Sequence, residues 1–155
     1  MGTVRVYGKA LVDTNVLIYA TLRDDPRFAV AQKLLRSGTQ RSSLYISVQN
    51  LAEMYPNLTG SKMAFPDTPG MARQKILSIA ALPHLHVLPL TYEIQKKALE
   101  LSERLGVTRQ RFFDMQLAAT LLHYRLSTLL TENTTDFQGI SGIRAVNPFL
   151  SVQRS

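Results

Sequence analysis

The chain has 155 residues, with 18 Lys and Arg against 11 Asp and Glu, which gives a formal net charge of +7. This length suits one hydrophobic core, so we expect a single domain over residues 1–155. The lack of cysteine excludes a disulfide framework, Cys-ligated zinc, an iron–sulfur cluster and a thiol nucleophile. The basic balance favours an anionic partner, of which nucleic acid is the commonest.

We expect neither a secretory signal nor a membrane-spanning segment in this sequence. No apolar run approaches the roughly 18 to 20 residues that span a bilayer. The N-terminal stretch is interrupted by Arg5, Lys9 and Asp13, so it lacks the apolar segment of a secretory signal. We therefore expect a cytoplasmic protein with no membrane partner.

Short apolar runs alternate with stretches in which apolar residues recur at helical spacing. In chain order these predict a strand at 10–12, a helix at 28–36, a strand at 44–46, helices at 48–58 and 71–81, a strand at 86–88, helices at 91–105 and 111–124, and strands at 127–130 and, more weakly, 143–146. The Gly- and Pro-rich stretch 59–70 predicts a long loop. This alternation is typical of an α/β fold with a mostly parallel sheet.

Two acidic residues lie close to the ends of predicted strands. Asp13 directly follows the first strand, where the simpler interpretation is a helix cap. Glu53 lies about two turns into the helix after the second strand, where the simpler interpretation is an exposed position. Because ligands of parallel sheets bind beyond the carboxyl ends of the strands, both residues are also candidates for chemistry.

Asp114 is the most informative acid, because it lies one turn inside the most apolar helix. The positive end of the helix dipole weakly favours a carboxylate there. A charge beside Phe112, Phe113 and Met115 calls for a cation more strongly than that dipole can supply. A fourth polar segment, residues 131–137, follows the fourth strand and also fits an ordinary turn.

Several carboxylates at one edge of a sheet would repel one another, and a divalent cation would relieve that repulsion. Mg²⁺ and Mn²⁺ suit carboxylate and water ligands. In a basic protein such a site indicates phosphodiester hydrolysis by a metal-activated water. Arg109 and Arg111 could hold the nucleic-acid backbone, although solvated charges at the start of a helix explain each of them equally well.

The run Leu-Val-Asp-Thr-Asn-Val-Leu at residues 11–17 resembles the opening motif of PIN-domain nucleases. Glu53, Asp114 and the segment 131–137 follow in that family's order. The small single-domain form is similar to the VapC toxins of toxin–antitoxin pairs. The resemblance covers residues 9 to about 147, which would form the core of the domain. It implies a three-layer α/β/α fold with a parallel sheet of about five strands in the order 3-2-1-4-5.

The same resemblance implies a function. It implies RNA cleavage that depends on Mg²⁺ or Mn²⁺, a cognate antitoxin and a homodimer, for which the apolar segments 16–19, 28–35 and 63–65 are candidate contact surfaces. Asp13, Glu53 and Asp114 match the core acids, and Asp13, Asp114 and Asp136 are the expected metal ligands. The expected supporting and substrate-positioning residues are Asn15, Thr131 and Asn133.

One position departs from the family pattern. Asn133 occupies the place, two residues after Thr131, where the family often has an acid. Either Asp136 fills that role from a longer loop, or Asn133 contributes a neutral ligand, and Glu132 is expected to point away. This departure leaves open a catalytically weak RNA-binding or scaffold subunit. A haloacid-dehalogenase-like phosphatase is disfavoured because Asn15 stands where that class has its second aspartate.

Overall fold

The computed structural model describes residues 7–152. Arg5, which contributes to the expected absence of a secretory signal, lies outside the described residues. No helix within residues 7–152 is long and apolar enough to cross a membrane.

Five strands form one parallel sheet in the order β3-β2-β1-β4-β5. The strands are β1 (Ala10–Val12), β2 (Leu44–Ser47), β3 (Leu85–Leu88), β4 (Thr128–Leu130) and β5 (Arg144–Val146). This order confirms the expected fold class, and no strand boundary differs from the sequence prediction by more than one residue. Every residue of β1 and β4 is buried, so these two strands form the centre of the sheet.

Within residues 7–152, six α-helices and two short 3₁₀ helices accompany the strands. The helices are α1 (Thr14–Tyr19), α2 (Phe28–Arg36), α3 (Val48–Thr59), α4 (Pro69–Ala80), α5 (Tyr92–Leu105) and α6 (Phe112–His123), and the 3₁₀ turns are Arg109–Arg111 and Thr134–Phe137. Helix α4 begins two residues before the prediction because Thr68 caps it and Pro69 takes the first helical position. Gly106 ends α5 in the left-handed conformation, with φ of 65°.

The helices cover both faces of the sheet and make two cores. Alternate residues of β1 point to opposite faces, so Ala10 and Val12 pack with α1 to α4, whereas Leu11 packs with α5 and α6. This three-layer arrangement buries both faces of the sheet and leaves its carboxyl edge as the open place for polar chemistry. Val16, Leu17 and Leu35 are buried in the first core. The expectation that segments 16–19 and 28–35 form contact surfaces is therefore wrong for these residues.

Candidate active site

Asp13 sits where the central strand β1 passes into α1. It is the N-cap of α1, and its Oδ1 accepts the backbone N–H of Thr14 at 2.7 Å. The carboxyl group is only 8% exposed. The helix-cap interpretation of Asp13 is therefore correct, but it uses only one of the two carboxylate oxygens.

The second oxygen of Asp13 is held by residues from the end of the neighbouring strand β4. The buried Thr131 donates its hydroxyl to Asp13 Oδ2 at 2.8 Å. Asn15 Nδ2 approaches the same oxygen at 3.4 Å and donates to Thr131 Oγ1 at 3.2 Å. The structure thus brings Asn15 and Thr131 into contact with Asp13, because parallel pairing aligns the ends of β1 and β4.

Glu53 reaches the same edge from α3, and both of its oxygens accept hydrogen bonds. Thr14 Oγ1 donates to Oε2 at 2.9 Å, and Gln49 Nε2 donates to Oε1 at 2.8 Å. Asn50 in turn donates to Thr14 Oγ1 at 3.0 Å. Glu53 is therefore a held carboxylate on the inner side of its helix, and the simpler interpretation as an exposed position is wrong.

Asp114 completes the group from the first turn of α6. Its carboxylate accepts no hydrogen bond from another residue within the described part of the chain, in contrast to Asp13 and Glu53. All three acids line one pocket of about 300 Å³ with polar and aromatic neighbours. The pocket is lined by Asp13, Thr14, Asn15, Ile18, Tyr19, Glu53, Asn57, Asp114 and Asn133.

Burial and mutual repulsion raise the pKa of two of these carboxyl groups. Burial raises the pKa of Asp13 to about 6 despite the hydrogen bonds from Thr131 and Thr14, and the charges of Glu53 and Asp136 add to the rise. Burial also raises the pKa of Asp114 to about 6, followed by the charges of Asp136 and Asp13. A nearby cation would stabilise the ionised form of a carboxyl group whose pKa is raised in this way.

Asn133 and Asp136 were the two candidates for the last acidic position of the family pattern, and they lie in different places. Asn133 lines the pocket, and its backbone N–H donates to Thr131 Oγ1 at 3.1 Å. Asp136 lies outside the pocket lining, but its charge raises the pKa of both Asp13 and Asp114. Within residues 7–152, no three Asp, Glu or His side chains are arranged as a ready set of ligands for one metal ion.

The two arginines predicted to bind nucleic acid are exposed and lie in the 3₁₀ turn that precedes α6. Arg111 donates to the backbone oxygen of Asp136 at 3.3 Å, and its charge lowers the pKa of Asp114. Arg111 therefore lies beside the acids. Arg109 adopts a positive φ of 56°, which turns the chain sharply before α6.

Two residues that contact Glu132, Tyr19 in the pocket lining and Arg27, were not identified from the sequence. Glu132 accepts hydrogen bonds from the Tyr19 hydroxyl at 2.5 Å and from Arg27 at 2.8 Å. Arg27 also lies 3.7 Å from the centre of the Tyr19 ring and pairs with Asp25. Burial, followed by the contact with Glu132, raises the pKa of Tyr19 to about 12. Glu132 is therefore bound by Tyr19 at the end of α1 and by Arg27 just before α2. No sequence spacing predicts such contacts, because they join residues more than 100 positions apart.

A scan against protein-family models matches the PIN domain over residues 10–142. The chain belongs to the PIN domain family. The match covers the sheet up to the segment before β5 and includes every acid described above. A curated PIN relative, Ribonuclease VapC24 of Mycobacterium tuberculosis, is 24% identical over 140 residues, which are 90% of this chain and 97% of that protein.

Solved structures share the fold of this PIN domain. VapC20 of Mycobacterium tuberculosis, described as a toxin that cleaves the sarcin–ricin loop, matches with a TM-score of 0.66 at 17% identity, over 87% of this chain and 98% of that one. A toxin–antitoxin complex from Klebsiella pneumoniae matches with a TM-score of 0.61 at 24% identity, over 90% and 97% of the two chains. At these identities the likeness establishes the fold.

The raised pKa of Asp114 predicts how the metal-free protein depends on pH. Since the pKa is 3.8 in the unfolded chain and about 6 in the folded protein, the folded state binds more protons between these values. This carboxyl therefore contributes stability that is full below pH 3.8 and is lost as the pH rises through about 6.

We expect Asp114→Asn to raise the melting temperature of the chelator-treated protein at neutral pH. The variant removes an ionised group that is half-buried among like charges, and the gain shrinks as the pH falls toward 3.8. Thermal unfolding followed by circular dichroism at a series of pH values measures the effect. The exposed Glu103→Gln is the control, and a lower melting temperature for Asp114→Asn at neutral pH would contradict the prediction.

Proposed function

We propose that this PIN domain is a metal-dependent endoribonuclease and the toxin component of a toxin–antitoxin pair. The observation that carries the proposal is the convergence of Asp13, Glu53 and Asp114 on one pocket, where burial raises the pKa of Asp13 and Asp114. The net charge of +7 supports an anionic substrate such as RNA. The curated relative is a ribonuclease by name.

The donor set fits Mg²⁺ or Mn²⁺. Mg²⁺ is usually bound by one or two carboxylates and keeps several of its waters, so a closed cage of three acidic side chains is not required. Asp13 and Asp114 would hold the ion, with Asp136 as a further ligand and the Asn133 side chain as a neutral neighbour. A bound ion lowers the pKa of its water and stabilises charge on the scissile phosphate.

The chain's own residues would prepare the pocket for hydrolysis. Thr131 and Asn15 fix the orientation of the Asp13 oxygen that they contact. Thr14 and Gln49 hold Glu53 with one donor on each oxygen, which leaves a free lone pair to orient the attacking water or accept its proton. Arg111 lies beside Asp136 and would contact the RNA backbone together with Arg109.

The cleavage assay tests this function directly. Purified protein is expected to cleave RNA when Mg²⁺ or Mn²⁺ is added and to stop when the metal is chelated. Asp13→Ala and Asp114→Asn should abolish cleavage, because each removes a carboxylate from the pocket, whereas Glu103→Gln on the exposed side of α5 should retain it. Undiminished cleavage by the two site variants would refute the assignment.

A second function is a catalytically weak PIN domain that binds RNA or serves as a scaffold. It is favoured by Asn133, which replaces an acid in the pocket lining, and by the lack of a three-acid ligand set within residues 7–152. Calorimetry with Mn²⁺ in the same preparation separates the two functions. Binding that is lost in Asp114→Asn supports the nuclease, and no binding at millimolar Mn²⁺ supports the scaffold.

We also propose a homodimer, with α3 and α4 as its contact face. Val48, Tyr55 and Leu77 are 44%, 42% and 54% exposed, and they border one apolar depression between these helices. A contiguous exposed apolar surface is typical of an interaction site. Leu77→Asp is expected to convert a dimer into a monomer in sedimentation velocity, while Leu99→Asp, 60% exposed on α5, leaves the dimer intact. A monomeric wild-type protein would refute the proposed homodimer.

We further propose an antitoxin partner and action in the cytoplasm. The Klebsiella pneumoniae neighbour is itself a toxin–antitoxin complex, which supports a partner of this kind. We expect the small protein encoded beside this gene to copurify with the chain and to suppress its RNA cleavage. Retention of full cleavage in the copurified pair would argue against an inhibitory partner.

A further inference from the structure

Three glutamine side chains connect the outer helix α5 to Glu53 through the interior. Gln95 Nε2 on α5 donates to Gln116 Oε1 on α6 at 2.6 Å. Gln116 Nε2 donates to Gln49 Oε1 on α3 at 2.8 Å, and Gln49 Nε2 donates to Glu53 Oε1 at 2.8 Å. We call these three residues the glutamine relay. It is continuous, because each amide uses its oxygen on one side and its nitrogen on the other.

The acceptors at the inner end fix the direction of the relay. The NH₂ group of Gln49 also donates to the backbone oxygen of Phe113 at 2.9 Å. An ionised carboxylate and a backbone carbonyl can only accept, so the Gln49 amide cannot be reversed without placing its oxygen against two acceptors. The Gln49 oxygen must then face Gln116, which in turn must present its own NH₂ group.

Burial makes these orientations costly to disturb. Gln116 is 4% exposed and Gln49 is 6% exposed. An unpaired amide in such surroundings is strongly disfavoured, and hydrogen bonds that form a chain in a low dielectric strengthen one another. The neighbours of Gln116 on α6, Met115 and Leu117, are apolar and fully or almost fully buried. Packing alone would be served by an apolar side chain at position 116.

The relay also joins α3, which carries Glu53, to α6, which carries Asp114. Phe113, whose carbonyl accepts from Gln49, immediately precedes Asp114. One amide therefore holds Glu53 through its side chain and Asp114 through its backbone neighbour. Gln49 thus contacts both segments that carry the acids, and its own oxygen accepts from Gln116.

We propose that Gln49 and Gln116 are positioning residues of the active site, which fix Glu53 relative to the first turn of α6. This inference rests on the proposed nuclease function, and its structural part is testable without activity. Residues that orient catalytic or ligating groups in this way typically change activity by roughly 10- to 100-fold when they are lost.

Gln116→Met is the principal test, because it preserves the length of the side chain and removes the donor. We expect kcat to fall by roughly 10- to 100-fold, with KM for RNA nearly unchanged because Gln116 is buried away from the substrate. Thr120→Val is the matched control: Thr120 is fully buried one turn further along α6, and its hydroxyl donates only to the Gln116 backbone oxygen. It should lower stability and leave kcat unchanged.

A second measurement follows the Gln49 side-chain NH₂ protons by NMR in the metal-free protein. They should exchange slowly in the wild type and in Thr120→Val, and quickly in Gln116→Met. Gln95→Met, which removes the outer donor at a half-buried position, should produce a smaller change in the same direction. It keeps the test decisive if Gln116→Met does not fold.

The outcomes separate the two proposals. Wild-type cleavage combined with equal kcat in Gln116→Met and Thr120→Val would overturn the positioning role and leave the nuclease function standing. An inactive wild type would overturn the nuclease function, and the NMR result would then decide whether the relay fixes Gln49. Slow exchange of the Gln49 amide that persists in Gln116→Met would overturn the relay itself.

Discussion

The main constraint on this structure is that several carboxylates lie close together and partly or fully away from water, which costs free energy. Asp13 is almost completely buried at the end of the central strand, and Asp114 is half-buried on the most apolar helix. Burial dominates the raised pKa of both, and their mutual repulsion adds to it. A fold that retains such groups without a cation is less stable at neutral pH than it would be with neutral residues there.

The surrounding polar residues reduce this cost unequally. Asp13 and Glu53 accept hydrogen bonds from Thr131, Thr14 and Gln49, and these donors fix both carboxylates. Asp114 receives no such hydrogen bond within residues 7–152. The arrangement therefore leaves one carboxylate without a donor and facing the pocket, which is where a cation would gain most.

Much of the fold could be predicted because the strands are short apolar runs separated by helices of regular periodicity. The predicted strand near residue 10 and the buried helix near residue 112 match β1 and α6, since β1 is wholly buried and apolar and α6 has a continuous buried, mostly apolar run from Met115 to Leu121. Asp114 stood out for the same reason, because a charge inside an apolar helix has few explanations. By that argument Gln116 should also have stood out, as a buried amide two residues later in the same helix.

The contacts that join distant segments could not be predicted. For Glu53 taken alone the sequence favoured an exposed face, and only the packing of α3 against α1 brought it to Thr14. Contact between Glu132 and Arg27 joins residues 105 positions apart, and no local pattern encodes it. Likewise, the sequence could not decide which of Asn133 and Asp136 reaches the pocket. The path of a 3₁₀ turn decides it, because it places Asn133 in the pocket lining and Asp136 outside it.

The sequence by itself determined the α/β class, the element boundaries to within a few residues and the unusual placement of Asp13 and Asp114, because apolar periodicity and a charge next to an apolar run are properties of neighbouring residues. Tertiary structure alone decided which donors hold each acid, and how Gln49 connects α3 to α6. Hydrogen bonds depend on distances of a few tenths of an ångström between elements far apart in the chain. Those distances exist only after the two cores have packed against the sheet.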